Sequence, residues 1–203
     1  ICHQREFKVM AHATNPDAVK AAVDLGAHSV EHGYIMDEEC IQSLREKEVW
    51  YVPTLSITHL TPGQATSRPE KRWVEEKQLT PDLVRRADAA AEEHRTWFQC
   101  ALQSGLRMAL GSDIRPLRES ALLEMGLWVK NGATPWQTLL AATRDAAALC
   151  GREKDLGTVG VGKIADLIVV AGNPLEDIEN LRRLRLVIKE GRVVSDKRGG
   201  HRK

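Results

Sequence analysis

The chain has 203 residues, 42% of them hydrophobic: enough for one ordinary domain with a buried core, or one domain plus a small appendage, and too few for two full domains. Its 29 lysines and arginines nearly cancel 28 aspartates and glutamates, leaving a formal net charge of +1. No global field therefore argues for nucleic acid or an anionic membrane as partner.

No apolar run approaches the roughly 18 residues of a membrane span, and no signal-peptide pattern is read at the N-terminus. Cys2, Cys40, Cys100 and Cys150 are widely spaced, lack C-x-x-C spacing and fall in stretches read as helical. They are expected to be free thiols in a reducing, cytoplasmic compartment. The chain begins with Ile1 rather than Met, which fits a polypeptide whose natural beginning is missing, and its basic tail over 197–203 reads as a disordered end.

Residues 1–6 read as the tail of a helix and 7–11 as a buried strand running up to His12. Asn15 is a good N-cap with Pro16 at the first helical position, and Ala18, Ala21, Ala22 and Leu25 recur at helical spacing until Gly26 stops the helix. Residues 27–30 predict a short strand leading to His32, and Asp37 opens a helix over 38–47. Residues 49–55 form a third strand, rich in β-branched and aromatic side chains, with Pro53 near its end. The stretch 56–79 is long, polar and interrupted by Pro62-Gly63 and Arg68-Pro69, so a lid-like excursion with a single turn of helix is expected.

Thr80-Pro81-Asp82 caps a long helix through Ser104, with Gly105 as its stop. Residues 106–110 predict a fourth strand that delivers Asp113, and 119–130 a helix ended by Asn131-Gly132. Thr134-Pro135-Trp136-Gln137 is a capping box opening a helix through Cys150, with Gly151 as its C′ residue. The grammar then changes: 163–170 reads as a strand, and 186–189 with 192–195 as a hairpin joined by Glu190-Gly191.

Three short apolar runs end in metal-competent side chains: Val9-Met10-Ala11-His12, Ser29-Val30-Glu31-His32 and Leu110-Gly111-Ser112-Asp113. Strands that deliver such groups at their C-terminal ends, alternating with helices, are how a (β/α)-barrel assembles a site at one rim. A lone His12 on an apolar strand would read as a core histidine; together with His32 and Asp113 it reads as a ligand. Imidazole suits Zn²⁺, and an added carboxylate suits a catalytic site that keeps an open water position. Glu31 is expected on the opposite face from His32, in a structural role, and His28 outside the site. His59 and Arg115 are candidate substrate contacts, Arg115 for a carboxylate, while Trp73 reads as a packing anchor.

The segments Ala11-His12-Ala13, Gly26-Ala27-His28-Ser29-Val30-Glu31-His32-Gly33, Val52-Pro53-Thr54-Leu55, Gly111-Ser112-Asp113, Ala141-Ala142-Thr143, and Gly157-Thr158-Val159 through Val170 with Asn173-Pro174 stand in one order. In that order the chain resembles the amidohydrolase superfamily, in its imidazolonepropionase-like and prolidase-like branch, over nearly its whole length. The resemblance implies an α/β chain that is the C-terminal half of a (β/α)8 TIM-type barrel, strands 5 to 8, followed by a small β-sandwich segment. Residues 1–156 would be the partial barrel, and 157–203 the sandwich strands and basic tail.

In the family, barrel strands 5 and 6 each supply a histidine ligand and strand 8 an aspartate, which matches His12, His32 and Asp113. The H-x-H pair after strand 1 and the lysine or glutamate after strand 4 have no match here. The resemblance implies a hydrolase holding one or two divalent metals, Zn²⁺ among them, that cleaves an amide or related C–N bond of a dipeptide or cyclic amide. In it a metal-activated water attacks the scissile carbonyl, and Asp113 carries its proton to the leaving nitrogen. A small-molecule or dipeptide substrate and a homo-oligomeric full-length form are expected, with neither nucleic acid nor membrane as partner. The alternatives are a catalytically incomplete fragment or assembly partner lacking the N-terminal ligands, and a lyase or isomerase barrel using His12 and His32 as acid and base.

Overall fold

The computed structural model describes residue 5 and residues 7–198; the expected helical tail at 1–6 and the end of the basic tail fall largely outside them. Three short strands, β1 (Met10–Ala13), β2 (Ser29–His32) and β3 (Trp50–Val52), form a parallel sheet in the order β1-β2-β3. Helices α1 (Pro16–Asp24) and α2 (Glu38–Glu46) make the crossovers. Each starts where a short polar side chain satisfies an orphan amide: Asn15 accepts from the Ala18 N–H and Asp37 from the Cys40 N–H. Both helices turn an apolar stripe inward, Val19 and Val23 from α1 and Cys40 and Leu44 from α2, where they join Val30 and Tyr51 of the sheet. Parallel pairing has one consequence for chemistry: all the strand C-termini open at the same end.

The expected strand 106–110 is reduced to a single parallel bridge between Tyr51 and Met108. Tyr51 N donates to the Arg107 carbonyl at 2.9 Å and Ala109 N to the Tyr51 carbonyl at 3.1 Å, but Leu110 N then turns to the Ala141 carbonyl at 3.0 Å and leaves the ladder. The chain can run this close to β3 because position 111 is glycine; a Cβ there would lie 2.6 Å from Val52 Cγ1. β1 is also displaced, beginning at Met10 rather than residue 7 and holding His12 within the strand.

The excursion after β3 holds more helix than expected: α3 (Ser56–His59) and α4 (Arg68–Lys77) precede the long α5 (Pro81–Ser104). Pro69, read as a breaker, sits in the first turn of α4, where its missing N–H costs nothing, and Ser67 with Glu70 closes a capping box. Beyond the bridge come α6 (Leu117–Lys130), α7 (Pro135–Ala142) and α8 (Arg144–Leu149). The helix expected through Cys150 breaks at Thr143 (φ −125°, ψ −81°), whose hydroxyl bonds back to the Leu139 carbonyl at 2.6 Å. Between α5 and α6, Phe98 and Trp128 meet edge to face at 5.1 Å and close the core.

The C-terminal module is β4 (Leu167–Val170), β5 (Leu184–Lys189) and β6 (Arg192–Asp196), antiparallel in that order, with a 3₁₀ turn over Ile178–Arg182. Among the described residues it forms one three-stranded sheet, and Ile168, Val169, Val193 and Val194 are exposed on it. Arg182 ties it to α6 by an ion pair to Glu119 at 2.7 Å. Cys40, Cys100 and Cys150 are free thiols, Cys2 lies outside the described residues, and no helix among those residues is long and apolar enough to cross a membrane.

Candidate functional site

Backbone strain collects where the strands of the parallel sheet end. His32, Gly33, Thr54 and Asp113 all adopt left-handed φ values, 79°, 52°, 52° and 49°. Such conformations cost free energy in non-glycine residues and persist where the surrounding fold over-determines them, as at ligand sites. Gly33 has no alternative, since a Cβ there would stand 2.8 Å from the Tyr51 ring.

His12 and His32 are thereby brought together, their rings edge to face with centroids 4.3 Å apart. Thr54 Oγ1 hydrogen-bonds His32 Nδ1 at 2.7 Å, which fixes the ring and leaves Nε2 as its outward nitrogen. Burial, and after it the neighbouring His12, hold the His32 imidazole below its ordinary pKa, while the Asp113 charge works the other way. Asp113 also acts on Glu31, whose carboxyl is raised first by burial, and on Tyr34, whose phenol burial and then Asp113 push up to about 12. Glu31, expected in a structural role, accepts a hydrogen bond from Ser29 Oγ at 2.6 Å and pairs in register with His12 across β1 and β2.

Asp113 and Tyr34 line a cavity of about 650 Å³ between the strand ends and helices α3 to α5. Leu60, Leu79 and Leu83 give it an apolar wall, and Lys77, Arg86 and Arg115 bring cations to it. This size and mixture, apolar with a few polar groups, suits a small organic ligand. Trp73, buried as a packing anchor, also lines the cavity and donates its indole N–H to the Arg115 carbonyl at 2.8 Å, tying α4 to the loop that follows Asp113.

His59, an expected substrate contact, lies elsewhere. It is 2% exposed within α3, and its neighbours Ser56, Ile57, Thr58 and Leu60 line the cavity instead. Thr58 Oγ1 bridges His59 Nδ1 at 2.8 Å and His94 Nδ1 at 2.7 Å. Burial, then the charges of Arg95 and Lys130, lower the His59 pKa from 6.5 to about 4. Below pH 6.5 the unfolded chain therefore binds a proton that the folded chain refuses, and stability falls as pH drops toward 4. The His59 contribution between pH 7 and pH 5 is about 2 kcal/mol. His59→Gln should therefore lose several degrees less of Tm than the parent over that interval in calorimetry, because every other titrating group is common to both. An equal loss in both proteins would refute the assignment.

Three polar residues of this region escaped sequence reasoning. His94 sits on α5 without local motif, Tyr34 follows His32 without one, and Glu124 lies on the buried face of α6. Glu124 accepts hydrogen bonds from Leu55 N and Ser56 N, each at 2.8 Å, from Ser56 Oγ, and from Trp128 Nε1 at 3.0 Å. It is 0% exposed, and burial raises its carboxyl to about 7 against the pull of those donors. The one sequence signal was an acidic residue in an otherwise apolar helical stripe with Leu123, Leu127 and Trp128, which are buried beside it.

The two imidazoles fit a divalent cation by donor type, and the bond from Thr54 orients one of them as metal-bound histidines are oriented. Among the described residues, however, no group of three or more His, Cys, Asp or Glu side chains stands together as a metal site. The structure brings His12 and His32 into ring contact, and Asp113 lines the neighbouring cavity.

The chain matches the family model described as the amidohydrolase family over residues 1–194. It is 30% identical to ochratoxinase from Aspergillus niger over 84% of this chain and 34% of that protein, and 26% identical to imidazolonepropionase from Treponema denticola over 94% and 42%. Its fold is similar to that of a Xaa-Pro dipeptidase crystallised with methionine in the active site, with a TM-score of 0.80 and 30% identity over 96% of this chain and 46% of that one. The Aspergillus niger ochratoxinase structure gives a TM-score of 0.78 at 28% identity, covering 96% and 43%. The chain thus spans less than half the length of each of these relatives.

Proposed function

The chain belongs to the amidohydrolase family, and from that premise we propose that it carries the strand 5 to 8 portion of a metal-dependent hydrolase that cleaves an amide or related C–N bond. One observation carries the reading: two imidazoles stand in contact at the end of a parallel sheet, and Asp113 lines a 650 Å³ cavity at those strand ends. The α/β fold and the hydrolases similar to it, which act on C–N bonds, support it.

His12 and His32 would hold a divalent cation, Zn²⁺ by preference for imidazole, with further donors needed to complete its shell. Bound there, the cation would acidify water and polarise the scissile carbonyl. Asp113 takes the proton of the attacking water and passes it to the leaving nitrogen as the C–N bond breaks. Lys77 and Arg115 offer charge for a substrate carboxylate, and the apolar wall takes a dipeptide side chain or a cyclic amide. The free thiols favour a cytoplasmic location, and we expect a homo-oligomeric full-length form acting on small molecules, without nucleic acid or membrane.

A second reading, that this chain by itself is catalytically incomplete, is favoured by the lack of a three-donor metal group among the described residues. One experiment separates the two. The protein is loaded with zinc and offered dipeptides, N-acyl amino acids and cyclic amides, with amine release and metal content followed together. Zinc-dependent, chelator-sensitive release supports the hydrolase; bound zinc without turnover supports the incomplete form. In either case His12→Ala is expected to lose bound zinc, and full retention by that variant would refute the ligand assignment.

A further inference from the structure

Trp73 stands where three cavities meet. It lines the 650 Å³ cavity that Asp113 lines, a second of about 560 Å³ bordered by Pro116 and Leu117, and a third of about 360 Å³ between α4 and α6 that reaches Arg182. Lys77 and Arg115 border both the first and the second, and Glu76 and Pro116 both the second and the third, so the three follow one another along α4 and the segment after Asp113. The Trp73 side chain that stands between them is buried, at 6% exposure. We propose that Trp73 is a specificity-determining wall, which closes the Asp113 cavity against the outer two and excludes amides whose chain would run on past it. The inference rests on the C–N hydrolase reading above and narrows its substrates to short amides the size of a dipeptide.

Three contacts fix the wall in place. The Trp73 indole N–H donates to the Arg115 carbonyl at 2.8 Å, so a ring pushed aside by a ligand would lose its one polar partner. The Lys77 ammonium lies 6.0 Å from the ring centroid, one turn further along α4. At the start of that helix Ser67 and Glu70 close a capping box, and Glu70, 5% exposed, pairs with Lys130 of α6 at 3.1 Å. The spaces on the two sides of the ring also differ in chemistry. Inside, Leu60, Leu79 and Leu83 suit an apolar side chain, whereas the third cavity is rimmed by Arg68, Arg72 and Arg182 against Glu76 and Glu119. A short apolar amide is therefore accommodated within the wall. A longer one meets the indole before it reaches the charged groove, and that clash, unlike a change of pocket polarity, is removed by shortening one side chain.

The test compares the parent protein, Trp73→Ala and Trp73→Phe on a dipeptide and on tripeptides that extend it by one residue at either end. The parent is expected to favour the dipeptide in kcat/KM. Trp73→Ala should raise the ratio of tripeptide to dipeptide about 10²-fold for one of the two extensions, and Trp73→Phe, which keeps a ring in the wall, should stay near the parent ratio. Calorimetric titration of the metal-free proteins with the same peptides should show the relative affinities moving in the same direction, a readout independent of turnover. If Trp73→Ala does not fold, Trp73→Leu, which retains apolar packing but withdraws the ring, is read in its place. A parent that cleaves dipeptide and tripeptides equally well, or an unchanged ratio in the shortened variant, would overturn the proposal and leave the hydrolase reading standing. A parent that cleaves none of these peptides removes that reading, and this inference with it.

Discussion

Replacing Asp113 with asparagine is expected to lower kcat by about 10²- to 10⁴-fold while much of the metal stays bound. Asparagine keeps the shape of the side chain and one weak oxygen donor but cannot take a proton from water. Asp113 is suited to the proton role because it lines the cavity, in a left-handed turn (φ 49°) beyond the Met108 bridge, where its charge reaches His32, Glu31 and Tyr34. Removal of the charge should therefore also lower the Glu31 and Tyr34 pKa values and the His32 pKa, the last because Asp113 now opposes the effect of burial there. Metal content measured beside kcat decides the matter. An Asp113→Asn protein that retains both zinc and near-normal turnover would show that the proton leaves by another route.

Glu124→Ala is expected to cost about 3–5 kcal/mol, the scale of breaking a buried charged network by deleting one member. Four donors converge on this carboxylate, from Leu55 N, Ser56 N, Ser56 Oγ and Trp128 Nε1, and all are left in a site without access to solvent. Each buried donor left without a partner costs about 1–3 kcal/mol. Calorimetry should show a Tm lower by roughly 10 °C, given about 2–4 °C per kcal/mol for a chain of this size. Glu124→Gln fills the same volume but sets an amide NH₂ against N–H donors, so it should recover only part of the loss. A change within 2 °C for the alanine variant would be incompatible with this network. The consequence reaches the candidate site, because the bonds from Leu55 and Ser56 hold the start of α3, and Ser56, Ile57 and Thr58 line the cavity. A rise in KM in whatever fraction stays folded is the expected companion.

What the sequence by itself determined is what short-range physics writes. Asn15, Asp37, Thr80 and Thr134 cap helices within the next three residues, and Gly105 ends α5 in a left-handed turn; these depend only on neighbours along the chain. Alternation of apolar strands and helices, with His12, His32 and Asp113 at or just beyond strand ends, was legible for the same reason. The length of each strand was not, because a ladder lasts only while its partner stays beside it, and Leu110 leaves β3 for the Ala141 carbonyl. The ranking of polar residues was not legible either. By sequence His59 falls in a loop beyond the third strand and Glu124 on an ordinary helix, yet Glu124 is bonded to a segment 69 residues away and His59 is sealed behind Thr58 and His94. Tyr34 acquires its place only when the turn at His32 and Gly33 folds it back against His94, which comes from a helix far along the chain. A buried polar side chain takes its meaning from the partner that satisfies it, and that partner is supplied by tertiary packing alone.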